Sequence, residues 1–353
     1  MVVLVLAFIV LVALAAACNV VSGLVGLGIV PAFPGSEWFF TVKNYIANLV
    51  LWTILAIVIM AAVRIGKERR KSGAGTSVPA TGRPRPPLVN PRIAVALTAY
   101  NDELSVGDAV RDFKSQPLVE AVFVVDNNCH DGTAKVAREA GATVVTERRQ
   151  GYGWACQRGL RAALETGADV IVLSEGDGTF GGRSIAQMTP FLDDADMVLG
   201  NRVTPGLVDR GSQMDSFFVW GNQLGAKLLQ LRFWESRFLG RVQLSDLGCT
   251  YRAIRREALA EIIDDLSVGG MHFSPHMIMV SLRQGHDIVE VPIRFSPRVG
   301  LSKGANSLAS ALSIGAAMLW HIITFPARPR LHQAMADRKP APEPESANAP
   351  PRL

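Results

Sequence analysis

Charged residues are scarce in this chain, and two long stretches contain none at all. Of the 353 residues, 19% are charged and 49% are hydrophobic. Residues 1–30 and 45–63 are uncharged and almost wholly apolar. As a helix, either stretch is long enough to cross a hydrocarbon layer of about 30 Å. This hydrophobic content is high for a soluble enzyme, and the two apolar stretches explain it.

Cysteine is also rare, and its spacing excludes two classes of small protein. The chain has four cysteines, none with a close pairing or a metal-ligand spacing: Cys18, Cys129, Cys156 and Cys249. A disulfide scaffold and a zinc finger are therefore excluded, and reduced thiols in a reducing compartment are expected. His272 and His276 flank Pro275, which disfavours a zinc site and favours a pocket-lining or structural role.

Two nucleotide-binding signatures are absent. Gly151-x-Gly153 lacks the third glycine of the dinucleotide fingerprint and does not follow the first predicted strand. The phosphate-loop lysine motif does not occur either. The net charge of +5 comes mostly from local basic clusters, so a nucleic acid is not an expected partner.

The two apolar stretches predict a membrane hairpin over residues 1–71. We expect transmembrane helices at about 3–24 and 45–63, because a signal peptide would need a basic start and a clear cleavage site. Five cations follow the second stretch: Arg64, Lys67, Arg69, Arg70 and Lys71. Such a cluster marks the cytoplasmic side. The pattern predicts a multi-pass protein of the cell membrane with a cytoplasmic catalytic domain.

Composition divides the rest of the chain into four parts. Residues 72–91 are rich in Gly and Pro and predict a linker, and residues 92–304 form the predicted catalytic domain. Residues 305–326 predict a helix at the membrane interface, although crossing the bilayer stays open. Residues 327–353 are rich in Pro and charge and predict a disordered tail.

Within the predicted domain, strand and helix patterns alternate. Apolar runs predict strands at 93–98, 121–125, 143–146, 170–173, 197–200 and 288–294. Amphipathic runs predict helices at 106–113, 131–140 and 154–165. This alternation is typical of an α/β fold with a doubly wound, mostly parallel sheet.

Polar residues follow the strands where they would meet at one edge of that sheet. The run 170–173 leads to Glu175-Gly176-Asp177. Two carboxylates at the carboxyl end of a buried strand repel each other unless a cation neutralises them, and a hard divalent ion prefers oxygen ligands. Tyr100, Asp102 and Asp126 follow the first two strands. This convergence suits a nucleotide with a metal-held diphosphate.

The order of the motifs resembles family 2 glycosyltransferases of the GT-A fold, especially the dolichyl-phosphate mannose synthase branch. The resemblance runs from Ile93 to about Asn306. It rests on six motifs: Ala99-Tyr-Asn-Asp-Glu103, Val125-Asp-Asn127 with Asp131-Gly-Thr133, Glu175-Gly-Asp177, Gly200-Asn-Arg202, Asp246-Leu-Gly-Cys-Thr-Tyr-Arg-Ala253 and Arg298-Val-Gly-Leu-Ser-Lys303. Four positions depart from the family pattern: Thr98 for proline, Asn127 and Glu175 for aspartate, and Ser274 for a glutamate.

The resemblance implies a role for each motif residue. The nucleotide sugar would contact Ala99, Tyr100, Asp102, Asp126, Gly151, Glu175, Gly176, Asp177 and Arg202. A divalent metal, Mg²⁺ or Mn²⁺, would be held by Glu175, Asp177 and Thr179. Acceptor and phosphate groups would contact Arg252, Arg298, Ser302 and Lys303. The catalytic residues would be Asp177, Asp246 and Arg298.

The expected reaction is metal-dependent, inverting transfer of a sugar from a UDP- or GDP-sugar to a polyprenyl phosphate. A phosphomonoester is largely dianionic near neutrality and needs no strong base. A hydroxyl acceptor would need one, and Asp246 is the candidate; its alternative role is to position Arg252 or the acceptor. A non-catalytic membrane scaffold is a third hypothesis, and a homo-oligomer stays open.

Overall fold

The computed structural model describes residues 85–204, 206–209, 211–212, 216–233, 242–300 and 308–326. The predicted hairpin and its basic cluster, most of the linker, the tail and the pair Ser302 and Lys303 lie outside these residues. No helix in the described segments has both the length and the apolarity needed to cross a membrane.

A seven-stranded sheet forms the centre of the fold. Its strands are β1 (Ile93–Ala99), β2 (Val119–Asp126), β3 (Thr143–Thr146), β4 (Val170–Glu175), β5 (Met197–Asn201), β6 (Arg252–Arg255) and β7 (Ile288–Pro292). They lie in the order β3-β2-β1-β4-β6-β5-β7, and β6 alone pairs antiparallel to its neighbours. The predicted mostly parallel α/β fold of GT-A type is therefore confirmed.

Helices cover both faces of this sheet. They are α1 (Val106–Lys114), α2 (Thr133–Glu139), α3 (Tyr152–Glu165), α4 (Ser184–Met188), α5 (Ser216–Arg232), α6 (Arg256–Ile262), α7 (Phe273–Gln284) and α8 (Leu308–Thr324). Short 3₁₀ turns follow α4 and α6, at Thr189–Asp193 and Ile263–Asp265.

The core lies in two layers, one on each side of the sheet. Every residue of β1 is buried, as expected for a central strand of a parallel sheet. Alternate β1 side chains pack in opposite layers of the core. Val95 packs in the layer of Phe113 of α1, and Ala96 packs in the layer of Leu160 of α3. Burying a large apolar side chain such as Phe113 stabilises the fold by roughly 1.5–3 kcal/mol. The layers hold the carboxyl ends of the strands in fixed positions.

Strand β6 does not follow from a sequence pattern. Only four residues long, it begins and ends with arginines, Arg252 and Arg255, that are almost fully buried. Arg255 donates to the carbonyl oxygens of Leu192 and Pro86. Buried strands are predicted from a run of apolar residues, and charged residues at both ends of β6 leave that run too short to recognise.

The end of the predicted linker packs against the folded domain. Arg85 forms an ion pair of 2.8 Å with Asp196 and a second with Asp287. Since the side chain of Arg85 is only 11% exposed, these pairs are shielded from solvent. The described domain therefore includes residues before the first strand.

Candidate active site

The carboxyl ends of the parallel strands open into a cavity of about 1360 Å³. Tyr100, Asp102, Glu175 and Asp177 line its polar wall. An apolar wall is contributed by α5 and α8 through Trp220, Leu224, Ile314, Met318 and Leu319. A site with both walls suits a ligand that is charged in one part and apolar in another.

The carboxylate loop begins where β4 ends. Gly176 donates its N–H to the Thr98 carbonyl at 2.9 Å. Gly178 has a φ of 82°, a left-handed conformation that glycine adopts without strain. The turn brings Thr179 back onto Asp177, and its N–H and hydroxyl donate to Asp177 Oδ1 at 3.0 and 2.6 Å. The loop thus fixes the orientation of the Asp177 carboxylate.

Arg298 joins two carboxylates that are distant in sequence. Its Nη2 donates to Asp102 Oδ1 at 2.7 Å and its Nη1 to Asp177 Oδ2 at 2.8 Å. The Asp102 and Asp177 side chains are only 4% and 3% exposed. Burial opposes the charged form of Arg298, but the two carboxylates outweigh it and raise the pKa of the guanidinium. One cation therefore compensates two buried anions.

Glu175 is the third carboxylate on the cavity wall. Burial, followed by the charge of Asp177, raises the pKa of the Glu175 carboxyl to about 8. A carboxyl with such a pKa is mostly protonated at neutral pH, and a nearby cation would favour its charged form. The carboxylate oxygens of Glu175 and Asp177 are hard donors, so they fit a Mg²⁺ or Mn²⁺ ion.

A complete protein cage for a metal ion is not present in the described segments. They contain no group of three or more His, Cys, Asp or Glu side chains arranged to hold one. Thr179, the third predicted ligand, uses its hydroxyl to donate to Asp177. Mg²⁺ is typically bound through one or two carboxylates plus substrate phosphates. Two carboxylates beside a diphosphate site match that mode of binding.

Arg202 is held on the cavity wall by Asp246. The Arg202 Nε and Nη2 atoms donate to the two Asp246 carboxylate oxygens at 2.8 and 2.9 Å, and the Arg202 backbone N–H donates to Oδ2 at 2.9 Å. Burial opposes the charged form of Arg202, but Asp246 outweighs it and raises the pKa of the guanidinium. Asp246 is 1% exposed. Both of its oxygens are engaged, so its geometry is that of a positioning residue for Arg202 rather than of a base.

Arg252 lies inside the domain and not among the residues of the cavity wall. It is 1% exposed and donates through Nε and Nη2 to the Cys249 carbonyl at 3.3 and 3.0 Å. Burial lowers the pKa of this guanidinium. An acceptor in the cavity as described would therefore meet Arg202 before Arg252.

Asn127 holds the loop that precedes α3. Its Nδ2 donates to the carbonyls of Glu147 and Arg149 at 2.9 and 2.8 Å, and its Oδ1 accepts from the Gly151 N–H at 3.0 Å. An aspartate could not donate to two carbonyls. The departure at Asn127 is thus explained by hydrogen bonding within the fold and is not a sign of a degenerate site.

Two neighbouring predicted residues have local roles. Asp126 accepts from the Cys129 N–H at 2.9 Å and is not on the described cavity wall. Gly151 has a φ of 147°, and a Cβ atom there would lie 2.5 Å from the Gly269 carbonyl oxygen. Glycine is therefore required at 151 by close backbone approach.

The cavity brings most of the predicted site residues together. Those on its wall are Ala99, Tyr100, Asp102, Glu175, Asp177, Thr179, Arg202 and Arg298. The predicted residues not on the described wall are Asp126, Gly151, Gly176, Asp246 and Arg252. Sequence reasoning did not assign Lys227 to the site; it lines the cavity and donates to the Leu244 carbonyl at 3.0 Å. The sequence feature that could have indicated this residue is the presence of a lysine within the aromatic run of α5.

Three histidines lie where α7 meets α8. His276 Nδ1 and His321 Nε2 are 3.0 Å apart, and the rings of His272 and His321 have centroids 5.1 Å apart. Burial, followed by the neighbouring His321, lowers the pKa of His276 to about 4. The described arrangement is a packed contact between helices, in agreement with the structural role favoured by the sequence.

This contact predicts a loss of stability in mild acid. A histidine whose pKa is lowered by folding contributes stability above its unfolded pKa of 6.5, and this stability is lost as the pH falls toward 4. We expect this histidine to account for a fall of about 3 kcal/mol in the free energy of unfolding. Guanidinium unfolding of the full chain at several pH values measures it.

The variant His276→Gln should show a shallower pH dependence than the parent. His130→Asn, which changes an exposed histidine, is the control and should retain the parent's dependence. An unchanged slope in His276→Gln would show that the contact does not titrate as described.

Comparison with known proteins agrees with the site. The profile described as Glycosyl transferase family 2 matches residues 94–263. Polyprenol monophosphomannose synthase of Mycolicibacterium smegmatis is 30% identical over 251 residues, covering 67% of this chain and 88% of that protein. Dolichyl-phosphate hexose transferase of Haloferax volcanii is 28% identical over 224 residues, 63% of this chain and 90% of that protein. Undecaprenyl-phosphate mannosyltransferase of Micrococcus luteus is 28% identical over 222 residues, covering 60% of this chain and 87% of that protein.

The GT-A fold, the acidic loop after β4 and these relatives define the class of the protein: it is a glycosyltransferase. More particularly, the chain belongs to glycosyl transferase family 2.

Proposed function

We propose that this enzyme transfers a sugar from a nucleoside diphosphate sugar to a polyprenyl phosphate. The observation that carries the proposal is the two-sided cavity. Asp102, Glu175, Asp177 and Arg298 line its polar wall, and apolar side chains of α5 and α8 line another. The names of the three relatives described above specify dolichyl phosphate, undecaprenyl phosphate and polyprenol monophosphomannose, which supports a polyprenyl phosphate acceptor here.

The polar wall is suited to the donor. Glu175 and Asp177 would hold a divalent metal, which when bound neutralises charge on the leaving diphosphate. Arg298 and Arg202 are the two arginines on the described wall, and both would face donor or acceptor phosphates. Stabilising developing charge on a leaving group is commonly the largest single contribution to such catalysis. This arrangement supports a metal-dependent reaction.

The acceptor side supports a phosphate nucleophile. The carboxylates on the described wall are Asp102, Glu175 and Asp177; Asp102 and Asp177 are paired with Arg298, and Glu175 is the proposed partner of the metal. Asp246, the candidate base for a hydroxyl acceptor, is engaged by Arg202. A phosphate dianion requires no base. One of its oxygens would bond to the anomeric carbon as the bond to the diphosphate breaks, and this single displacement inverts that carbon.

The apolar wall would receive the lipid. Trp220 and Leu224 lie one turn apart on α5 and are 73% and 56% exposed, and Trp320 on α8 is 69% exposed. Exposed aromatic and aliphatic residues on helices favour the boundary between lipid and water. Together with the uncharged stretches and basic cluster of residues 1–71, they support action at the cytoplasmic leaflet of the cell membrane.

The test is transfer of labelled sugar in membranes that contain the full chain. Labelled UDP- and GDP-sugars are supplied with a polyprenyl phosphate, and the expected result is label in the lipid fraction that disappears with EDTA. The control acceptor is the matching polyprenol, which lacks the phosphate. Equal transfer to the polyprenol would favour a hydroxyl acceptor, and no lipid label from any donor would overturn the proposal.

A further inference from the structure

A partly buried carboxylate behind the cavity connects the segments that position Arg202. Glu290 lies in the middle of β7, and its backbone pairs with Leu199 of β5. It is not among the residues of the described cavity wall. Nevertheless, its side chain reaches across β5 to the loop that carries Asp246.

Four hydrogen-bond contacts define the position of this carboxylate. Glu290 Oε1 accepts from the backbone N–H groups of Ser245 and Asp246 at 2.8 and 3.0 Å. Glu290 Oε2 accepts from the Ser245 N–H at 2.8 Å and from Asn201 Nδ2 at 3.0 Å. The Asn201 side chain is therefore fixed directly beside Arg202. One carboxylate thus holds both the residue before Arg202 and the residue that pairs with Arg202.

We propose that Glu290 is a positioning residue that sets the orientation of Arg202 toward the phosphates of the bound nucleotide sugar. The proposal rests on the function proposed above. Asp246 fixes both the backbone and the guanidinium of Arg202, and Glu290 fixes the loop of Asp246. Arg202 and Ser245 are the members of this arrangement that lie on the cavity wall, and Arg202 is the one that carries a charge for a phosphate.

The geometry explains why an acidic side chain is needed inside an apolar strand. Burial of a carboxylate is costly unless donors surround it, and here two backbone N–H groups and one amide supply them. If Glu290 were apolar, those donors would be buried without acceptors, which is also costly. A glutamine would keep one acceptor oxygen for the loop, but its NH₂ group would face the Asn201 amide. Glu290→Gln therefore loosens the hold on Arg202 while retaining size and packing.

The experiment measures binding of UDP and of GDP, each with MnCl₂, to the full-length protein by calorimetry. The variants are Arg202→Ala, Glu290→Gln and the double variant. Glu257→Gln, an exposed glutamate on α6, is the control. We expect Glu290→Gln to weaken binding of the diphosphate about tenfold and Glu257→Gln to leave it unchanged. In the Arg202→Ala background, Glu290→Gln should have no further effect.

This last comparison separates positioning from a general loss of structure. A merely structural role would weaken binding by the same factor whether or not Arg202 is present, and that result would overturn the proposal. Unchanged binding in Glu290→Gln, or in Arg202→Ala alone, would overturn it as well. Failure of the parent protein to bind either nucleotide would instead refute the proposed function, and this inference with it.

A second variant keeps the proposal testable if Glu290→Gln folds poorly. Glu290→Asp keeps the charge with a side chain one methylene shorter, so it should bind the diphosphate with an affinity between those of the parent and Glu290→Gln. If Glu290→Gln does not fold, Glu290→Asp in the two backgrounds gives the same comparison. Melting temperatures of all variants are measured alongside binding.

Discussion

Replacing Asp177 by asparagine is expected to lower sugar transfer by about 10³-fold. The change removes a negative charge from a side chain that is 3% exposed and faces the cavity. The neutral amide is a weaker ligand for a divalent cation, and it weakens the pairing with Arg298. Initial rates with labelled donor measure transfer, and calorimetry with MnCl₂ measures metal binding. The rate of sugar transfer and the affinity for the metal should both fall in this variant.

Asp108→Asn is the matched control for this experiment. Asp108 lies on α1 with its side chain 85% exposed and pairs with Arg111 at the surface. Such a surface pair contributes little to stability, and the site should be unaffected. Transfer by Asp177→Asn at more than a tenth of the parent rate would contradict a central role for Asp177.

Arg298→Ala is expected to have the second largest effect, a fall of about 10²-fold in transfer. The change leaves Asp102 and Asp177 buried next to Glu175 without their shared guanidinium. Breaking a buried charge pair by removing one partner costs about 3–5 kcal/mol, so the melting temperature should fall too. Arg298→Lys should retain an intermediate activity, because an ammonium group cannot make the two-pronged contact.

A divalent ion should offset part of the stability loss in Arg298→Ala, since cations near the three carboxylates replace the missing charge. Melting temperatures with and without MgCl₂ measure this. Arg294→Ala serves as the control, because Arg294 lies four residues earlier and makes an exposed pair with Asp209. Parent-like activity and stability in Arg298→Ala would show that the bridge is dispensable.

The sheet was predictable because its strands are local patterns. The β-branched runs of β1, β2 and β4 are continuous in the sequence, and the structure places each of them within two residues of its predicted bounds. Strand β6 escaped prediction because its arginines are buried by contacts from distant segments. Helix α2 begins at Thr133, two residues after its predicted start at Asp131, whose carboxylate accepts from the Thr133 N–H.

The sequence was enough to predict which residues form the site, but not which of them pair with one another. Strand-end residues such as Asp102 and Asp177 had to meet, because parallel strands end at one edge. That Arg298 joins them follows only from the folded chain, since it lies 196 residues after Asp102 and 121 after Asp177. The same is true of Glu290, whose only signal was an acidic residue within an apolar strand.

Residue types and their spacing were enough to determine where strands end, which polar groups follow them and which kind of ligand such groups attract. The tertiary structure decided which of these groups are free to act: it engaged Asp246 with Arg202, enclosed Arg252 and raised the pKa of Glu175 to about 8. The physical reason is the separation along the sequence of the residues that set each property. Periodicity is a property of neighbouring residues, whereas pairing and desolvation depend on which distant segments enclose a charge.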